Sequence, residues 1–177
     1  MATIYTVGHS TRTFDELVAA LKAHGISTLV DIRSFPMSRR LPHFNRESLE
    51  AGLPRHGIIY VWMKELGGRR KKIRNDSPNT GLRSDSFRNY ADYMLTEDFV
   101  QGAERLLEVA TTGNTVIMCA ERSYFQCHRM LVSDYLTVHG HTVLHIDDDK
   151  HRPSEHELMA EAKLLDGRLV YNAQQLF

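Results

Sequence analysis

Strand-like and helix-like hydrophobic patterns alternate along most of this chain, and that alternation restricts its fold more than any other feature. Between the strand-like runs, apolar residues recur at helical spacing, and Thr13 and Glu16 have the spacing of a capping box ahead of one such stretch. Chains that alternate in this way fold with right-handed crossovers into a parallel sheet. The predicted strands are Thr3–Val7, Thr28–Ile32, Ile58–Trp62, Thr115–Met118 and Thr142–Ile146.

The pattern predicts an α/β protein with a single-domain, Rossmann-like three-layer fold and a mainly parallel sheet over residues 1–177. If the chain winds one way through three strands and then returns, the simplest strand order is 3-2-1-4-5. A long polar insert at about 64–86 is expected to be mobile or ordered by a ligand. A second capping box, at Ser154 and Glu157, predicts a C-terminal helical extension over about 154–177.

Composition excludes several classes of protein. The chain has 22 basic and 22 acidic residues, so no overall field attracts nucleic acid or an anionic membrane. No apolar run approaches the ~20 residues that span a bilayer, and the start of the chain does not have the pattern of a signal peptide. Two cysteines eight residues apart fit a reducing compartment. We therefore expect a cytoplasmic protein without a membrane partner.

Polar residues gather where the predicted strands end. In the predicted order, strands one and four are neighbours at the point where the winding reverses, which is where open α/β sheets bind ligands. The loops expected to meet there carry His9, Ser10, Asp31, Arg33, Cys119 and Glu121.

Short motifs follow one another through these strand ends and loops. They are Gly8-His9-Ser10, Asp31-Ile32-Arg33 with Pro36 and Ser38, Leu66-Gly67-Gly68, Tyr90-Ala91 with Met94, Cys119-Ala120-Glu121, Cys127-His128-Arg129 and His145-Ile146. In this order, from about Thr3 to Ile146, they resemble the motifs of DUF488, an uncharacterised family named as a domain of unknown function. The resemblance implies an α/β fold and supports the choice of site residues, but it implies no particular reaction.

The segment from Cys119 to Arg129 holds the densest group of reactive side chains. Cys127 opens a predicted helix, Cys127–His139, where amides and the helix dipole favour a thiolate, and His128 and Arg129 stand beside it. The alternative is that both cysteines are small buried hydrophobes. A zinc site of Cys119, Cys127, His128 and His9 matches no standard spacing, so we predict no metal and no other cofactor.

Two carboxylates, Asp31 and Glu121, stand at predicted strand ends. Close carboxylates can serve as acid and base, but they can equally be held by Arg33 and Arg129 as structural ion pairs. His9 is either a general base or a helix-entry cap. The catalytic candidates are His9, Asp31, Glu121 and Cys127.

Cationic and aromatic residues in the second and third loops indicate an anionic ligand. Arg33 and Arg39 would bind phosphate or carboxylate groups, with Phe44 as a stacking surface, although the basic run from Arg69 to Arg74 is equally typical of a solvated loop. The substrate-binding candidates are Ser10, Arg33, Ser38, Arg39, Phe44, Cys119, His128 and Arg129.

Three functions remain open. The favoured one is an enzyme with transferase or hydrolase-type acid–base chemistry on a phosphate-bearing, nucleotide-like or nucleic-acid substrate. The alternatives are a nucleic-acid-binding accessory protein and a thiol redox or sulfur-handling protein. In each case the partner is an anionic small molecule or nucleic acid.

Overall fold

The computed structural model describes residues 1–173, and they form an α/β fold around a mostly parallel sheet. The five parallel strands and the antiparallel β6 lie in the order β3-β2-β4-β1-β5-β6. The strands are β1 Thr3–Gly8, β2 Thr28–Asp31, β3 Ile59–Trp62, β4 Thr115–Cys119, β5 Thr142–His145 and β6 Ser154–Glu155.

Helices cover the sheet on both faces. Successive residues of a strand point to opposite faces, so Val116 and Met118 of β4 join one core and Ile117 and Cys119 the other. The first core is packed by α1 and α2, the second by α3, α4 and α5. The helices are α1 Phe14–Ala23, α2 Arg46–Gly52, α3 Asp85–Tyr93, α4 Glu97–Ala110 and α5 Arg129–Val138.

The predicted fold class is confirmed, but the predicted strand order is wrong. β4 lies between β2 and β1, whereas the order 3-2-1-4-5 placed it on the far side of β1. All five residues of β4 are buried, which suits a strand with neighbours on both sides. The expected contact between β1 and β4 is present, with Gly8 opposite Cys119, so the two loops that follow these strands still meet.

The helix expected in the tail is not formed within the described residues. Ala162–Leu165 and Arg168–Tyr171 instead form an antiparallel hairpin, β7 and β8. Asp166 and Gly167 join the strands with φ values of 50° and 75°, the left-handed conformations that a two-residue hairpin turn requires. Residues 174–177 of the predicted extension lie outside the described residues.

The polar insert begins with a short 3-10 turn, Lys64–Leu66, and the described residues between that turn and α3 form no helix or strand. Asn79 anchors it, because its buried side chain accepts a hydrogen bond from the Tyr171 amide and donates one to Asp92. No helix in the described chain is long and apolar enough to cross a membrane.

Candidate functional site

A cleft of about 860 Å³ opens where β1, β2 and β4 end. The backbone amide of His9 donates to the Cys119 carbonyl and that of Ser10 to Ala120, both at 2.9 Å, so the two loops run side by side. A Cβ at Gly8 would lie 1.8 Å from the Glu121 carbonyl oxygen, which explains why glycine ends β1. Of the predicted site residues, those lining the cleft are His9, Arg33, Ser38, Arg39, Cys119, Glu121, Cys127 and His128.

The other predicted site residues do not line it. Ser10 holds a backbone position with φ 49° beside the cleft, and Asp31, Phe44 and Arg129 are buried beneath its surface. As binding groups, Phe44 and Arg129 therefore fit poorly, because neither presents its side chain to a ligand in the cleft.

The Asp31 carboxylate is held by an ion pair with Arg33 and by a hydrogen bond from Tyr60. Its carboxylate accepts hydrogen bonds from Arg33 Nε at 2.9 Å and Nη2 at 2.6 Å, and from the Tyr60 hydroxyl at 2.6 Å. Burial and the Asp31 charge raise the pKa of Tyr60, so this phenol stays protonated as a donor. Of the two roles that the sequence left open for Asp31, this geometry favours the structural one. Tyr60, absent from the sequence-based candidates, stands 29 residues away with no local signal.

His9 is packed and neutral. Its ring stacks on Phe44 with centroids 4.5 Å apart, so Phe44 supports His9 and offers no free face. Nδ1 lies 2.9 Å from the Ser10 carbonyl, which can only accept, so Nδ1 carries the proton. Nε2 then accepts from Arg33 Nη1 at 3.3 Å. Burial lowers the pKa of His9 to about 4, and Arg33 contributes to the shift.

The two cysteines form a pair on the cleft wall. Their sulfurs are 2.8 Å apart, and neither takes part in a disulfide. Burial opposes ionisation of Cys127, but hydrogen bonds from Cys119 and His128 and the charge of Arg129 outweigh it and lower the pKa of Cys127. Burial and the bond to Cys127 raise the pKa of Cys119 well above its usual value. The pair therefore shares one proton, with the thiolate on Cys127.

Arg129 lies behind this pair with only 1% of its surface exposed. Its Nε is 2.9 Å from the Cys119 sulfur and 3.3 Å from the Cys127 sulfur. Nη1 donates to the Thr6 hydroxyl, and Nη2 donates to the carbonyls of Glu121 and Arg122. Within residues 1–173, none of its hydrogen bonds reaches a carboxylate. Arg129 thus fits neither the ligand-binding role nor the carboxylate pairing expected from the sequence.

His128 and Glu121 both line the cleft. His128 Nε2 donates to the Ile32 carbonyl at 2.9 Å, which leaves Nδ1 toward Gly68. A Cβ at Gly68 would lie 2.4 Å from that nitrogen, so glycine lets the insert approach the ring. The Glu121 side chain is exposed and has no hydrogen bond to the described residues.

The rim of the cleft is cationic and apolar. Arg39 and Arg69 are exposed there, with Phe35 67% and Met37 77% exposed. Arg69 lies over the Phe35 ring, 5.7 Å from its centroid. Elsewhere in the basic run, Arg70 donates to backbone carbonyls and lies over Tyr93, so it is structural.

The zinc alternative finds no support in the described residues, where no group of three or more His, Cys, Asp or Glu side chains is arranged to hold a metal. The four residues named for it are committed elsewhere. His9 and His128 each direct a ring nitrogen to a backbone carbonyl.

Comparison with known proteins identifies a family and no activity. The family model described as DUF488, domain of unknown function, matches residues 13–136. This range includes the motifs from Asp31 to Arg129 and excludes those at Gly8-His9-Ser10 and His145-Ile146. No curated protein and no solved structure matches the chain.

Proposed function

The chain belongs to the DUF488 family, whose description names no activity, and from its own geometry we propose that the cleft is a thiol redox site acting on an anionic disulfide. In this function Cys127 is the attacking thiolate and Cys119 is the resolving thiol. The proposal takes up the third function that the sequence left open.

The observation that carries the proposal is that the buried guanidinium of Arg129 contacts two cysteine sulfurs. A buried charge is costly unless an opposite charge or a full set of hydrogen bonds compensates for it. The sulfurs of Cys119 and Cys127 take the place that a carboxylate would take in an ordinary ion pair. A thiolate at Cys127 neutralises Arg129, and the thiolate is the reactive form of cysteine.

The separation of the sulfurs supports a two-step exchange. The Cys127 thiolate attacks one sulfur of a disulfide RS–SR′, which forms a mixed disulfide Cys127–S–SR and releases R′S⁻. Cys119 then attacks the Cys127 sulfur and releases RS⁻, and the proton of Cys119 passes to a departing thiolate. The protein loses two electrons and forms a Cys119–Cys127 disulfide, while the substrate gains two electrons and becomes one thiol and one thiolate.

The rim supports an anionic substrate with an apolar part. Arg39 and Arg69 attract negative charge, and Phe35 and Met37 offer apolar surface at the same opening. Both cysteines line the same cleft, and Cys127 is the more exposed of the two, at 8% against 3% for Cys119.

A second candidate is acid–base chemistry on a phosphate-bearing or nucleic-acid substrate, which the sequence analysis favoured. The exposed carboxylate of Glu121 beside the same rim arginines is the observation that supports it. In that case Glu121 is the proton-transfer group and the cysteines are dispensable. The nucleic-acid-binding accessory function depends on the rim arginines alone.

Two colourimetric disulfides test the redox proposal: the anionic dithiobis(nitrobenzoate) and the neutral dithiodipyridine. In the wild type, we expect rapid release of two thiols per protein and a Cys119–Cys127 disulfide in the mass spectrum. C119S should stop at a mixed disulfide on Cys127, and C127S should not react. If both cysteines react only after denaturant is added, the redox function is wrong.

The electrostatic role of the rim arginines is tested by comparing the reaction rates with the anionic and the neutral disulfide. The double variant R39A/R69A should lose several-fold in rate with the anionic disulfide and little with the neutral one, because rim charges mainly change encounter rates. R55A/R83A removes two exposed arginines that do not line the cleft and is the matched control. Equal loss with both disulfides would contradict an electrostatic role for the rim.

A further inference from the structure

A buried line of hydrogen bonds connects Arg129 with Asp134. Arg129 Nη1 is 3.1 Å from Thr6 Oγ1, which is 2.7 Å from His145 Nδ1. His145 Nε2 is 2.9 Å from His156 Nδ1, and His156 Nε2 is 2.7 Å from Asp134 Oδ1. All five residues are buried, and none lines the cleft.

The acceptor at one end determines where the protons lie. The carboxylate of Asp134 can only accept, so His156 Nε2 carries a proton. With both imidazoles neutral, His145 donates to His156, Thr6 donates to His145, and Arg129 donates to Thr6. Every bond is then made and every donor points toward Asp134. Burial, His156 and Arg129 lower the pKa of His145 to about 3, in agreement with a neutral ring.

Asp134 and Arg129 are both buried charges without an ordinary ionic partner. Asp134 accepts further hydrogen bonds from the Tyr171 hydroxyl at 3.0 Å and the Met159 amide at 3.2 Å. Within residues 1–173, His156 is the one basic side chain that contacts the Asp134 carboxylate. The two charges are five residues apart on α5, which is about 7.5 Å along the helix axis.

Few other charges face this line. Tyr124 stacks on His145 with centroids 3.6 Å apart, and Tyr171 covers Asp134. The Arg122–Asp147 ion pair stands in the shallow pocket that borders Arg129 and His145, where it is more than half exposed. Within residues 1–173, Arg129 also contacts the sulfurs of the two cysteines.

We propose that Asp134, through His156, His145 and Thr6, is a second counter-charge of Arg129 that limits how strongly Arg129 stabilises the Cys127 thiolate. These four are positioning residues, since they act on the sulfur only through Arg129. When Cys127 is bonded to a substrate and loses its charge, Asp134 remains to compensate Arg129. The inference rests on the proposed thiol function.

The test is the pH profile of Cys127 alkylation by a neutral reagent, followed by mass spectrometry on the full chain. D134N removes the charge and keeps an oxygen that accepts from His156. Loss of this negative charge should move the alkylation midpoint to lower pH by about one unit, the shift expected for charges ~10–15 Å apart at an effective dielectric constant near 20. If Asp134 only held Arg129 in place, the midpoint would move to higher pH. An upward shift or no shift overturns the proposal.

Variants of His156 and Thr6 test whether both imidazole rings are neutral and whether the line runs through the Thr6 hydroxyl. H156Q replaces the ring with an amide that can donate to Asp134 and accept from His145, so the midpoint should stay at the wild-type value. An upward shift would mean that His156 carries a positive charge, which overturns the proposal. T6V breaks the line between His145 and Arg129 and should lower the midpoint, as D134N does, whereas T6S keeps the hydroxyl and should leave the midpoint at the wild-type value.

A measurement on the wild type covers the case in which D134N does not fold. The nitrogen NMR shifts of His145 and His156 at neutral pH should show two neutral rings, before and after alkylation of Cys127. A cationic ring in either state overturns the proposal. If wild-type Cys127 has an ordinary thiol midpoint, the proposed function itself fails; if that midpoint is low and D134N leaves it unchanged, only the present inference fails.

Discussion

Two buried arginines follow neighbouring strands of the sheet, and they are compensated in opposite ways. Arg33, after β2, is 7% exposed and forms a forked ion pair with the Asp31 carboxylate. Arg129, after β4, is 1% exposed and meets two sulfurs and two carbonyls. A carboxylate is ionised at any ordinary pH, but a thiol is ionised only where its surroundings favour it. Arg33 is therefore part of the scaffold, while in the proposed function Arg129 stabilises the Cys127 thiolate.

The largest effect is expected where the scaffold pair is broken. D31N leaves Arg33 buried without its counter-charge, which should lower the free energy of unfolding by about 3–5 kcal/mol. Chemical denaturation monitored by tryptophan fluorescence measures the loss. Y60F removes one hydrogen bond from the same carboxylate and should cost only about 1 kcal/mol. Equal, small losses in both variants would contradict a structural ion pair.

The next effect is on reactivity. R129Q removes the cation beside the sulfurs, so the alkylation midpoint of Cys127 should rise toward that of a free thiol, ~8.5. At pH 6 the alkylation rate should fall about tenfold or more, since each unit of pKa changes the thiolate fraction tenfold below the midpoint. Y60F is the control at the other arginine and should leave the rate unchanged. A rate in R129Q equal to that of the wild type would remove Arg129 from the thiol chemistry.

A smaller effect is expected in the pH dependence of stability, through His9, which contacts Arg33. The pKa of His9 falls from 6.5 in the unfolded chain to about 4 in the fold, so the unfolded state binds more protons between these values. Stability should therefore fall as pH drops through this window, by at most about 1.4 kcal/mol per pH unit, and this loss should stop below pH ~4. H9Q should lose this component in denaturation curves taken across the window. An unchanged slope in H9Q would mean that His9 is not buried as a neutral ring.

The Cys127 thiol changes stability in the same direction, over a range that extends to higher pH because a free thiol titrates at ~8.5. Because its pKa is lowered on folding, its contribution to stability is complete above the pKa of the unfolded thiol and is lost as pH falls through the folded value. Subtracting the pH–stability curve of C127S from that of the wild type should reveal a contribution that grows with pH. A flat difference curve would contradict a preformed thiolate.

Local patterns were enough to predict much of the framework. The capping box at Thr13 and Glu16 is present at the start of α1, and the segments predicted as strands carry β1 to β5. The parallel sheet and the contact between β1 and β4 follow from the alternation of elements, so most polar candidates meet at one edge. The Asp166-Gly167 pair is typical of two-residue hairpin turns, a local signal that the predicted tail helix did not take into account.

Amino-acid order alone determined most of the secondary elements and the α/β class, because hydrophobic periodicity and helix starts act over a few residues. It also predicted a thiolate at Cys127. Only the tertiary structure decided that β4 enters between β2 and β1, that Asp31 is consumed by Arg33 and Tyr60, and that Arg129 meets sulfur and no carboxylate. Thr6 and His145 are 139 residues apart and yet hydrogen-bonded. Compensation of a buried charge depends on which distant groups the fold brings within about 3 Å, and no local pattern records that distance.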